Sequence, residues 1–101
     1  LKMRLSSQQT RKIRQIVREL VGEKAQVRLF GSRLDDQRKG GDVDLLLELP
    51  EPVADPALVG ARLSARISRA LLGRRVDVLI LAPNLRHLPI HDIALSEGQI
   101  L

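Results

Sequence analysis

The chain has 101 residues, enough for one domain over 1–101 with a single modest core, and 44% hydrophobic residues favour a folded chain over disorder. It has no cysteine, which excludes disulfides and thiolate metal sites and fits a reducing compartment, so the cytoplasm is expected; no apolar run is long enough to cross a bilayer. The net charge of +5 suits a polyanion, such as a nucleoside triphosphate, or an acidic protein partner, but Phe30 is the only aromatic residue and single-strand stacking platforms need several, so direct nucleic-acid binding is not expected.

Ser6 followed by Gln9 has the spacing of a capping box, and Ile13, Ile16, Val17, Leu20 and Val21 then recur on one side of a helix. Gly22 supplies a stop, so a helix is predicted at about 7–21. Arg11, Lys12, Arg14, Gln15 and Arg18 fall on its other faces and read as a solvated surface. From Ala25 to Phe30 the pattern alternates, which predicts a half-buried strand ending at Gly31-Ser32. A polar loop from Arg33 to Gly41 follows.

Asp42 to Leu49 is the second predicted strand. Side chains alternate with period two, so Val43, Leu45, Leu47 and Leu49 share one face and Asp42, Asp44, Leu46 and Glu48 the other. Asp55-Pro56 places an N-cap before a proline at the first helical position. Val59, Leu63, Ile67, Ala70 and Leu71 give that helix its apolar stripe, Arg62, Arg66 and Arg69 an exposed side, and Gly73 its stop. Arg75 to Leu81 is the third strand, with Val76, Val78 and Ile80 on one face and Asp77, Leu79 and Leu81 on the other. Leu88-Pro89 opens a short last helix with Ile90, Ile93 and Ala94 expected inward and an end near Gly98. His87 and His91 read as ordinary surface residues, since Pro89 between them spoils a shared helical metal face.

The carboxylates carry the chemistry. Asp42 and Asp44 lie about 7 Å apart along one side of a strand whose Leu45-Leu46-Leu47 run marks it as buried. Two anions there repel each other, and a divalent cation removes the conflict. Asp77, flanked by Val76 and Val78, repeats the problem on the third strand. Three oxygen ligands suit Mg²⁺, and two such ions can clamp an in-line displacement at phosphorus. In this scheme Asp42 and Asp44 bridge two ions and Asp77 binds the one that activates the attacking hydroxyl; Asp77 is also a candidate to accept its proton. Gly31 and Ser32 can bring backbone N–H groups and a hydroxyl to phosphate, with Arg33, Arg38 and Lys39 as charge candidates. Each part alone has a plainer explanation. A Gly-Ser pair is often only a turn, Asp42 and Asp44 could pair with Arg28 or Arg75, and Asp77 with Arg74 or Arg75.

Gly31-Ser32, then Gly41-Asp42-Val43-Asp44-Leu45, then Asp77 resembles the minimal nucleotidyltransferase (MNT) family of the DNA polymerase β superfamily. The similarity runs from the first helix to Ser96-Glu97-Gly98. The sequence departs from the commonest form at Leu34, Asp36 and Gly41, and its loop is a residue shorter. The resemblance implies an α/β (α+β) nucleotidyltransferase fold, a small mixed β-sheet with helices packed against it. It implies ATP as substrate and Mg²⁺ as cofactor, with Asp42, Asp44 and Asp77 catalytic and metal-binding and Gly31, Ser32 and Arg33 at the nucleotide. It further implies a HEPN-family helical partner, an RNase toxin whose tyrosine hydroxyl receives AMP and which the MNT protein thereby restrains as antitoxin. A chain this small leaves little room for an acceptor-binding domain, so the acceptor is expected on another chain. Two other readings stand beside this one: a catalytic subunit that adenylylates a small-molecule alcohol, and an idle antitoxin that inhibits a helical partner by contact.

Overall fold

The computed structural model describes residues 5–31 and 43–101. In chain order the elements are α1 (Ser7–Val21), β1 (Gln26–Phe30), β2 (Val43–Glu48), α2 (Pro56–Ala70), β3 (Val76–Leu81), α3 (Pro89–Glu97) and β4 (Gln99–Ile100). The strands form one mixed sheet in the order β3-β2-β1-β4. β1 runs antiparallel to β2 and β4, and β2 runs parallel to β3 through the α2 crossover. The fold is therefore α+β, as the alternation of strand and helix patterns predicts.

Helix boundaries follow the local chemistry. At the start of α1 the Ser6 hydroxyl accepts the Gln9 N–H at 3.1 Å, and the Gln9 side chain accepts the Ser6 N–H at 2.9 Å. This reciprocal cap satisfies two of the donors a helix start leaves free. Asp55 caps α2 by accepting the Leu58 N–H at 3.1 Å. The end of α2 is less comfortable. The Gly73 N–H reaches the Ser68 carbonyl at 2.8 Å, but Leu72, 95% exposed, is also left-handed at φ 61°. That conformation costs a leucine about 1–2 kcal/mol, whereas asparagine tolerates it better. Leu72→Asn should therefore raise stability by about 0.5 kcal/mol, read as a higher urea midpoint at unchanged slope.

The core lies on the face of the sheet covered by α1 and α2. Ile13, Ile16 and Val17 of α1 and Leu63 and Ile67 of α2, with Leu71 just beyond it, meet Val27, Leu29, Val43, Leu45, Leu47, Val76 and Ile80 from the strands. Between the two helices Arg66 pairs with Glu19, which Gln15 also reaches at 3.3 Å. The Arg66 hydrogen bond, then that of Gln15, holds the Glu19 carboxyl below its ordinary range. A carboxyl depressed in the folded state adds stability above its unfolded value, and that contribution is lost as pH falls through the folded value. Glu19→Gln should therefore be slightly less stable than the wild type at pH 7, and the difference should shrink as the pH is taken down below about 4.3 in urea titrations.

The opposite face carries a smaller apolar cluster, in which Phe30 and Leu46 lie under Ala94 of α3, with Leu79, Leu81 and Leu95 at its margin. The facing of α3 differs from the sequence expectation. Ala94 points inward as expected, but Ile90 and Ile93 are exposed at 44% and 47%, and His91 is buried at 3%. His91 Nδ1 accepts the Leu88 N–H at 2.8 Å, and Nε2 lies 3.0 Å from the Ile80 carbonyl. An Nδ1 that accepts places the ring proton on Nε2, where it donates to Ile80. β3 is the sheet edge, so this bond satisfies an outward carbonyl that no strand reaches, as the Ser64 hydroxyl does for Val76. The hydrogen-bonding need of the edge, rather than apolar periodicity, sets how α3 is turned. His87, by contrast, stays at the surface, as expected, and its Nε2 meets Asp92 at 2.7 Å.

Candidate active site

Two of the three sequence-identified acids are described, and the sheet register brings them together. Asp44 of β2 is the Cα partner of Asp77 on β3, and Phe30 of β1 is the partner of Asp44 on its other side. Facing follows from the alternation. Val43 and Leu45 are buried against α1 and α2, so Asp44 between them points to the α3 side; Val76 is buried in the same core, so Asp77 does too. Neighbouring strands lie about 4.8 Å apart, which puts two carboxylates within reach of one ion. Asp42, Ser32 and Arg33, like Leu34, Asp36, Arg38, Lys39 and Gly41, lie outside the described residues.

Two features of the acids differ from what their sequence neighbours suggest. The Asp77 side chain is 51% exposed, so desolvation is not what it suffers; Asp44 is half-buried. The electrostatic demand arises from like charges on adjacent strands, which are destabilising when directly opposite. Arg75 answers part of it, with its Nε 3.5 Å from Asp77 Oδ1. Both side chains are largely exposed, and such a pair contributes little to stability. Arg28, another cation that the sequence offers as a partner for the acids, is bonded instead to Glu48.

Gly31 completes the described part of the site. It leaves β1 at φ 73°, in the region glycine occupies without cost. A Cβ built there would stand 2.6 Å from Asp44 Oδ2 and 3.3 Å from its Cγ. The backbone thus passes against the carboxylate in space that any other residue would fill, which is how glycine admits a close approach to an anionic ligand.

These residues fit a hard divalent cation. The donors are carboxylate oxygens, and Mg²⁺ usually takes one or two of these together with waters and substrate phosphates. Among the described residues no group of three or more His, Cys, Asp or Glu side chains converges on an ion site, so the pair Asp44 and Asp77 is the described donor set. A groove of about 480 Å³ between Val21–Lys24 and Leu49–Val53 lies at the opposite end of β2 and is separate from these acids.

The family model described as "Nucleotidyltransferase domain" matches residues 10–101. Among the solved structures that share the fold are two toxin–antitoxin structures. One is a rebuilt and re-refined structure of tri-AMPylated Shewanella oneidensis HEPN toxin in complex with MNT antitoxin. It aligns with a TM-score of 0.71 at 17% identity, over 95% of this chain and 71% of the other. The second is a crystal structure of a toxin-antitoxin with AMP-PNP, with a TM-score of 0.71 at 18% identity, over 90% of this chain and 70% of the other. No curated protein sequence matches the chain. With the family match spanning nearly the whole sequence, the chain belongs to the nucleotidyltransferase domain family and is a nucleotidyltransferase.

Proposed function

We propose that the protein transfers AMP from ATP to a tyrosine hydroxyl of a HEPN-type RNase partner in the cytoplasm, and so acts as that toxin's antitoxin. The observation that carries the nucleotidyl-transfer half is the register of Asp44 with Asp77 beside the Gly31 backbone. For the acceptor half, support comes from the likeness to a complex that holds an AMPylated HEPN toxin and an MNT antitoxin.

Asp42, Asp44 and Asp77 would hold Mg²⁺. When bound, the ion supplies charge neutralisation at phosphorus and lowers the pKa of the attacking hydroxyl. The residues of the chain do the rest. Gly31 and Ser32 would bring backbone N–H groups to the phosphates, and Arg33 would add positive charge. The acceptor oxygen bonds to the α-phosphorus as the bond to the bridging oxygen breaks, and pyrophosphate departs. Asp77, half exposed at the start of β3, would take the hydroxyl proton. The product is a phosphodiester of AMP on the partner's tyrosine.

Intact-mass measurement of the partner tests this reading. The expected result is a gain of one or more AMP groups that requires ATP and Mg²⁺ and disappears in Asp42→Ala/Asp44→Ala. Inhibition that persists in the double variant without any mass gain would replace the reading with one of inhibition by contact. AMP found on a small alcohol instead of the protein would move the acceptor.

A further inference from the structure

We propose that Arg75 occupies Asp77 in the ion-free enzyme, yields that place to the divalent ion, and then binds a phosphate oxygen of the nucleotide. The inference rests on the nucleotidyl-transfer reading and adds a residue to it.

Arg75 precedes Asp77 by two positions in the run that enters β3, so alternation puts both side chains on the α3 side of the sheet. The guanidinium Nε lies 3.5 Å from Asp77 Oδ1. Its backbone is held, because the Arg75 carbonyl accepts the Val43 N–H at 2.8 Å. The side chain is not, being 72% exposed. A fixed base with a free head is what an exchangeable cation needs. The contact is longer than a charge-assisted hydrogen bond, and exposed pairs of this kind are weak, so a divalent ion can take the carboxylate. Once displaced, the guanidinium stays within a side chain's length of the site. Its planar fork matches phosphate oxygens, and it carries charge at every working pH. A lysine ammonium would neutralise Asp77 as well but lacks the fork. The other two described ion pairs formed by arginine lie elsewhere, at Glu48 and Glu19.

The two roles predict effects of opposite sign in one variant. Arg75→Ala removes a competitor for Asp77, so Mn²⁺ alone should bind roughly threefold to tenfold more tightly, read by electron paramagnetic resonance. The same change should weaken binding of a non-hydrolysable ATP analogue, in saturating Mn²⁺, roughly tenfold by calorimetry. Arg75→Lys should keep the wild-type Mn²⁺ affinity and lose part of the nucleotide affinity. Arg75→Ala with either affinity unchanged overturns the proposal. A wild-type protein that shows no ion-dependent nucleotide binding overturns the functional reading itself, which is a separate outcome.

Discussion

Asp77→Asn is expected to lower nucleotidyl transfer by about a thousandfold or more while costing no stability, a barrier change of about 4 kcal/mol. The amide keeps the shape of the carboxylate and removes its charge, so under the proposed mechanism the ion would lose an anionic ligand and the proton its acceptor. Stability should move the other way. Asp77 stands directly opposite Asp44 in the parallel ladder, and relieving like charges at that spacing gains a few tenths of a kcal/mol. The lost contact with Arg75 is exposed and offsets little. In urea titrations Mg²⁺ should stabilise the wild type, as any ligand of the folded state does, and should do much less for the variant. A variant that is slow because it is unfolded would show the reverse, a lowered midpoint with or without Mg²⁺.

Gly31→Ala is the second large effect, and Gly73→Ala is its control. Both glycines have positive φ, 73° and 89°, so alanine at either should cost about 1–2 kcal/mol of backbone strain. Their surroundings separate them. A Cβ at residue 73 meets nothing within 4 Å, whereas at residue 31 it meets Asp44 Oδ2 at 2.6 Å. The carboxylate must then turn away, and a displacement of about 1 Å at a reacting centre can cost a hundredfold in rate. The two variants should thus lose similar stability, while Gly31→Ala loses about two orders of magnitude in turnover and Gly73→Ala keeps its rate. Equal turnover in both would remove Gly31 from the site.

Much of this arrangement is legible in the sequence because strands write their facing directly. The alternation across Val43-Asp44-Leu45 and Val76-Asp77-Val78 is enough to put both acids on one side of a sheet. It does not say which strands are neighbours. The register that pairs Asp44 with Asp77 comes from the crossover through α2, which periodicity alone leaves open. α3 is turned otherwise than its apolar residues suggest for a related reason. Ile90, Ile93, Ala94 and Leu95 spread over too much of a nine-residue helix to define a face, and the His91 bond to the Ile80 carbonyl settles the matter. That bond depends on where the sheet edge falls, which no local pattern records. β4, two residues long, is too short to show alternation at all. The exposure of Asp77 was also hidden, since apolar neighbours on a strand say what the other face buries, not what covers this one.

In the proposed mechanism one divalent ion is shared by carboxylates on adjacent parallel strands, Asp44 of β2 and Asp77 of β3. Anomalous scattering from crystals grown with Mn²⁺ and a non-hydrolysable ATP analogue tests it most directly. The expected peak lies on the α3 side of the sheet, about 2.1–2.2 Å from oxygens of both Asp44 and Asp77 and next to the analogue's phosphates. A nucleotide bound with its ion elsewhere, touching neither carboxylate, would contradict it.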